Sequence, residues 1–339
     1  MKFGMMYEIQ IPEPHYPGIV QDTYKQVIAQ VMLAEEMGFD YFWTVEHHFL
    51  SEFSYCPAPE VLYGAISQRT SKIRIGHAVA LLPPQYNHPI RVAERAAVLD
   101  ILSDGRVELG TGRSTTLIEM GGFGIDPEDT KAMWEEALSI IPRMWLEDPF
   151  SHEGRFFKIP PRSVIPKPVQ KPHPPLWIGG WGDITLRRAA TLADNWIPGP
   201  AADLTRLLAG KKQFLERRRA AGLAAPTEWP LTRDVIIADT DQRARELAEE
   251  HIMVAYRREY AGGWRHPFID ASVATDLDKL MEDRFIIGGP EQCVRRLRRF
   301  VEQYGMTHLI CRMFFPGMPH AHIMRGLELL AREVMPAFR

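Results

Sequence analysis

Cysteine is scarce in this 339-residue sequence, and long apolar runs are absent. Cys56, Cys293 and Cys311 are widely spaced and form no C-x-x-C pair, so neither a disulfide framework nor a zinc knuckle is expected. No stretch approaches the ~20 apolar residues needed to span a bilayer. The acidic and proline-containing residues after Met1 to Tyr7 exclude the apolar core of a secretory signal. A net charge of -3 gives no general attraction to nucleic acid or anionic lipid. The sequence has no H-E-x-x-H, no P-loop, and no G-x-G-x-x-G after its first apolar run. With 45% apolar and 24% charged residues, the composition is that of an ordinary globular chain, expected to be cytoplasmic and to bind neither membrane nor nucleic acid.

What is present is alternation. Short apolar runs ending near Tyr7, then Tyr41 to Val45, Ile73 to Leu82, Arg106 to Leu109, Leu176 to Gly179, Asn195 to Ile197, Thr232 to Ala238 and His308 to Phe314 read as eight strands. Amphipathic segments lie between them. The first has Asp22 as its expected N-cap and Gly38 as its end; others begin at Pro59, Pro89, about Pro127, Pro290 and about His320. Eight strands with intervening helices predict an α/β fold, a (β/α)8 TIM barrel with insertions formed as a single domain over residues 1–339. Residues 148–175, crowded with prolines, and 257–288, containing Gly262-Gly263-Trp264, read as insertions near the active-site mouth. An open doubly wound sheet is the alternative, but it lacks its glycine fingerprint here.

In such a barrel the chemistry lies where strands end. After the second strand come Glu46-His47-His48, where a carboxylate can orient one imidazole while another faces the cavity. The same residues could instead form a hydrogen-bond network that only secures the strand end. Metal binding competes too, but adjacent side chains on an extended strand point to opposite faces. Two glycine-rich turns follow the fourth and fifth strands: Gly110-Thr111-Gly112-Arg113, and Gly179-Gly180-Trp181-Gly182-Asp183-Ile184-Thr185 leading into a helix. Glycine admits an anion close to the backbone, helix N-terminal amides point at it, Thr185 can donate to it, and Arg113 can fork onto phosphate oxygens. Either turn alone could be simple strand-to-helix punctuation. His77 reads as a packed strand residue, and His88 as a residue that either lines the mouth or caps a turn. The basic run Arg295 to Arg299 reads as the solvated face of an amphipathic helix.

At these residues the sequence resembles the bacterial luciferase-like flavin monooxygenases. Glu46-His47-His48-Phe49 followed by Glu52-Phe53 is the most specific match. His88-Pro89-Ile90-Arg91-Val92-Ala93-Glu94, Ser103-Asp104-Gly105-Arg106, the proline-rich run Pro166 to Pro175, and Ile287-Gly288-Gly289-Pro290-Glu291 follow in family order. The resemblance implies an enzyme, without a metal, that binds reduced FMN supplied by a separate flavin reductase. It would use O2, through a peroxyflavin, to oxygenate a small, apolar organic substrate. His47 would be the catalytic histidine, with Glu46 and His48 supporting it. Ala78-Val79 falls where the family carries a non-proline cis peptide beneath the flavin ring. Arg113, with Gly110 and the turn Gly180, Trp181, Gly182 and Thr185, would bind the cofactor phosphate. Where the luciferase carries a reactive cysteine, this sequence has Gly112, so no thiol chemistry is expected. The same class implies a homodimer. It leaves two alternatives: hydride transfer with the deazaflavin F420, and a non-catalytic flavin-binding protein.

Overall fold

The computed structural model describes residues 1–51, 53–114, 116–261 and 269–339. Glu52 and the Gly262-Gly263-Trp264 stretch lie outside the described residues. In chain order the first half runs β1 Lys2–Tyr7, α1 Ile19–Glu36, β2 Tyr41–Thr44, α2 Pro59–Ser67, β3 Arg74–Leu81, α3 Pro89–Leu102, β4 Val107–Gly112, α4 Leu117–Gly122 and α5 Thr130–Leu146. A hairpin, β5 Phe150–Glu153 and β6 Lys158–Arg162, precedes β7 Leu176–Gly179, α6 Asp183–Leu192, β8 Asn195–Ile197, α7 Leu204–Ala220 and β9 Pro230–Ile237. The last part holds α8 Asp241–Leu247, α9 Val254–Ala261, α10 Ala271–Ala274, α11 Leu277–Asp283, β10 Phe285–Gly288, α12 Pro290–Tyr304, β11 His308–Arg312 and α13 His320–Leu329.

Nine strands form one parallel sheet in the order β10-β9-β11-β1-β2-β3-β4-β7-β8. All but β10 are the eight strands of a (β/α)8 barrel, curled so that every C-terminal end opens on one face. Among the described residues the ladder is open between β8 and β9, although the two pack side by side. Arg233, a fully buried β9 residue, bridges that seam by donating to the carbonyls of Pro200 (3.0 Å) and Ala202 (2.8 Å), just beyond β8.

Buried side chains fill the barrel interior. Trp43 and Trp177 meet edge to face at 5.3 Å between centroids, and His308 stacks on Tyr41 at 4.3 Å. Gly76 leaves the room that Trp43 occupies, since a Cβ there would lie 2.1 Å from the indole. Outside the sheet, Val27, Val31 and Ala34 of α1 and Leu297 and Phe300 of α12 pack against strand residues such as Phe3 and Leu309.

Several boundaries differ from the sequence reading, for local reasons. Helix α1 begins three residues before Asp22, with left-handed Gly18 (φ 91°) as its N-cap, so Asp22 lies inside the first turn. Gly110-Thr111-Gly112 is not a turn but the end of β4. There β3 and β4 shift register between His77 and Ala80 and approach closely, and a Cβ on Gly110 would lie 2.0 Å from the His77 carbonyl oxygen. Phe285 to Gly288, read from the sequence as part of the 257–288 insertion, forms a ninth strand beside β9. The hairpin in 148–175 packs along α5, where Glu136 bonds His152 (3.0 Å) and accepts the backbone N–H groups of Phe156 (3.1 Å) and Phe157 (3.1 Å).

Burial, reinforced by Lys2, lowers the His308 pKa to about 3, while an unfolded histidine titrates near ~6.5. Below pH ~6.5 the unfolded chain therefore takes up a proton that the folded chain does not, and stability is lost toward pH 3. Urea unfolding between pH 7 and pH 4.5 should show stability falling less steeply in His308→Leu than in the parent, by ~2 kcal/mol across the window. Parallel curves would refute the assignment.

Candidate active site

The titratable groups collect where the strands end. Glu46, His47 and His48 follow β2; Arg113 and Ser114 follow β4; Gly180 to Gly182 connect β7 to α6, whose first turn holds Thr185. From these segments Glu46, His47, Arg113, Ser114, Gly180, Trp181 and Thr185, together with Ala78, Val79, Leu81, Gly112, Trp134 and Gly179, line a cleft of about 300 Å³. Chain reversals beside these groups use left-handed backbone at non-glycine residues: Ile9 (φ 56°), Phe49 (φ 60°) and Ser114 (φ 63°). Each such residue costs ~1–3 kcal/mol and persists where the surroundings over-determine it.

The peptide bond Ala78-Val79 is cis. It lies where β3 departs from the β4 register, and both residues face the cleft. Beneath it Gly112 faces Val79 so closely that a Cβ would lie 2.4 Å from Cγ2. A cysteine at this position would have to displace Val79.

Glu119 of α4 is fully buried and organises the histidines. Its carboxylate accepts from His47 Nδ1 (2.9 Å), from the His48 backbone N–H (2.9 Å) and from the Ser114 hydroxyl (2.7 Å). Burial disfavours its charge, but these three bonds outweigh burial and hold its pKa at about 2. A carboxylate can only accept, so the His47 Nδ1 carries a proton. Burial likewise opposes charge on His47; the Glu119 bond and the negative charges of Glu8, Glu119 and Glu46 override it and raise the imidazole pKa above its usual value.

Glu46 has a different task. It accepts from the backbone N–H of Leu81 (2.9 Å), from Asn87 Nδ2 (2.8 Å) and from His48 Nε2 (3.2 Å), tying the end of β2 to the end of β3. His48 stacks on Tyr86 at 5.7 Å and packs against Phe123 at 4.9 Å.

At the other end of the cleft, Arg113 Nη1 donates to the Ser114 carbonyl (3.1 Å) and Thr130 Oγ1 (3.1 Å). Among the described residues no carboxylate pairs with it. Burial and nearby Arg188 lower its pKa, whereas an anion would counter both effects. Left-handed Gly180 (φ 105°) and Gly182 (φ 97°) bring the chain to the N-terminus of α6, where Thr185 lies in the first turn. Among the described residues no group of three or more His, Cys, Asp or Glu side chains is arranged to hold a metal ion.

A family model for luciferase-like monooxygenases matches residues 1–308. The chain belongs to this family. As a luciferase-like monooxygenase it is a flavin-dependent, oxygen-incorporating enzyme. It is 29% identical to limonene 1,2-monooxygenase of Rhodococcus erythropolis over 326 residues, covering 90% of this chain and 79% of that protein. The fold matches the FMN-bound oxygenating constituent of 3,6-diketocamphane monooxygenase from Pseudomonas putida, with TM-score 0.82, 22% identity, and coverage of 99% and 98% of the two chains. It also matches the F420-dependent tetrahydromethanopterin reductase of Methanopyrus kandleri, with TM-score 0.73, 20% identity, and coverage of 100% and 99%.

Among the residues singled out from the sequence, Glu46, His47, Ala78, Val79, Arg113, Gly180, Trp181 and Thr185 meet at the cleft. His48, Gly110 and Gly182 do not line it. His48 turns toward Glu46 and Tyr86, Gly110 permits the strand approach, and Gly182 caps α6. The carboxylate bonded to His47 is Glu119, not Glu46. Its sequence signal was one acid in the apolar run Leu117-Ile118-Glu119-Met120. His77 is packed against Tyr63, and the His88 side chain accepts from Ile90 N–H to cap α3.

Replacing Glu119 by glutamine removes the charge that favours the imidazolium, so the His47 pKa should fall by ~1–3 units. NMR titration of labelled imidazoles measures it, and an unchanged value would contradict the assigned pairing.

Proposed function

We propose that this chain is the oxygenase of a two-component system. It takes reduced FMN from a separate flavin reductase and, with O2, oxygenates a small, apolar organic substrate. The observation that carries the reading is Arg113, a half-buried cation with no carboxylate partner among the described residues, facing the same cleft as the α6 N-terminus and Thr185. This donor set suits a terminal phosphate. Val79 and Ala78 offer an apolar surface of the kind a flat ring needs, and Gly112 keeps it low. The residues therefore fit the cofactor.

Bound reduced FMN would supply the electrons that activate oxygen. The chain's own residues would do the rest. Arg113, Thr185 and the α6 amides hold the phosphate, while the apolar wall limits water near the reacting atoms. His47, fixed through Nδ1 by Glu119, presents Nε2 as the proton donor or acceptor to an oxygen on the reacting side. The limonene enzyme's name and the camphane enzyme's description as an oxygenating constituent agree with an apolar substrate and a reductase partner. A homodimer is part of this reading, and exposed Val61 on α2 with Val98, Ile101 and Leu102 on α3 provides apolar surface for it.

Titrating the protein anaerobically with reduced FMN and with reduced F420 separates the two cofactors. Tight FMN binding is expected; exclusive F420 binding would overturn the oxygenase reading. Arg113→Ala should weaken FMN, by ~1–3 kcal/mol as for a hydrogen bond to a charged group, and leave riboflavin affinity unchanged. With an apolar terpene or ketone identified as substrate, His47→Ala should retain FMN affinity and slow turnover by ~10²–10⁴-fold. Equal turnover would remove His47 from the chemistry.

A further inference from the structure

The half of the barrel mouth formed by β9, β11 and β1 carries a second set of charges. Glu8 directly follows β1 and is buried. Among the described residues its Oε2 has no hydrogen-bond partner, and it lies 4.0 Å from His47 Nε2. Its Oε1 lies 3.9 Å from Arg312 Nη1 at the end of β11. Arg312 Nε is in turn 2.8 Å from Asp234 Oδ1 on β9, and Asp234 Oδ2 accepts from the Tyr256 hydroxyl at 3.0 Å. Charge thus alternates across the mouth: Asp234, Arg312, Glu8, His47 and Glu119. Left-handed Ile9 turns the chain immediately after Glu8 and sets where that carboxylate can reach.

We propose that Glu8 is a positioning residue for His47, a second buried carboxylate that faces Nε2 from the side opposite Glu119 and holds the imidazole in its protonated form. The geometry divides the labour. Glu119, bonded to Nδ1, fixes the ring and its tautomer. At 4.0 Å Glu8 is too distant for a hydrogen bond but close enough for strong attraction between unlike charges in a buried setting. The proton on Nε2 therefore remains unengaged by Glu8 and deliverable. Arg312, almost equally near the other oxygen, draws off part of the Glu8 field. Among the described residues, the other groups acting on His47 are Glu46 from its own segment and the uncharged ring of Phe53, 5.2 Å away between centroids. Burial alone would push a histidine toward neutrality, and to the paired Glu119 and the more weakly acting Glu46 the Glu8 carboxylate adds a further negative charge that favours the imidazolium.

The inference rests on the reading of His47 as the proton-handling group, and two measurements keep the ideas separable. The first is NMR titration of the His47 imidazole in the parent, Glu8→Gln and Glu8→Asp. Glu8→Gln should lower the pKa by about one unit, a tenfold loss of proton affinity, with the Nδ1 bond to Glu119 retained; Glu8→Asp should recover part of the shift. The second is kcat against pH with the reductase, FMN and substrate present. Its high-pH limb should move down by the same amount while KM stays constant. An unmoved imidazole pKa in both variants would overturn the proposal, as would a raised KM without a pKa change, which would make Glu8 a substrate contact. A lowered pKa with an unmoved rate limb would uphold the Glu8 effect and instead overturn the role of His47 in turnover.

Discussion

A carboxylate removed from water must find donors, and Glu119 finds three of them on two different parts of the chain. Its bonds to His47 and to the His48 backbone secure the segment after β2, while Ser114 secures the segment after β4. Both segments contribute to the lining of the cleft. The left-handed backbone at Phe49 and Ser114 lies beside each anchored point, consistent with anchors strong enough to maintain unfavourable dihedrals. The same contact orients His47, raises its proton affinity and positions the wall around Arg113. Positioning and proton chemistry are therefore one constraint.

A second constraint is the close approach of β3 and β4. Glycines at 110 and 112 let the strands come together where β3 leaves register at Ala78-Val79, so a surface of backbone and small side chains faces the cleft. Glu46 secures the far end of that irregularity by accepting from Leu81 and Asn87. The cleft thus combines the Arg113 cation, the apolar side chains of Ala78 and Val79, and the His47 imidazole bordered by carboxylates.

Much of this was legible along the chain. Strands β1 to β4 and helices α2 and α3 could be located because uniform apolar runs and proline or glycine boundaries are local signals. Arg113, His47 and Thr185 could be singled out because they follow strand ends, where any barrel of this kind gathers its chemistry. The residue pattern alone left metal binding and a merely structural network open; the family resemblance pointed to flavin. The short helix α4 and the true role of Gly110 left no such trace, and the apolar run Phe285 to Ile287 did not reveal that it would pair beside β9. Each depends on what packs beside it rather than on its own periodicity.

The sequence by itself determined the barrel class and the strand-end histidines, because both are encoded in the order and type of residues along the chain. The cis peptide at Ala78-Val79 was implied by the family resemblance alone. Only the tertiary structure decided which carboxylate serves which imidazole. Glu46 is adjacent to His47 in sequence yet bonds His48, while Glu119, 72 positions away, bonds His47. Successive residues after a strand point in different directions, whereas residues from separate strand ends converge at the mouth. Glu8 follows the same rule. Its charge matters because the curled sheet sets β1 beside β2, a relation that sequence adjacency does not contain.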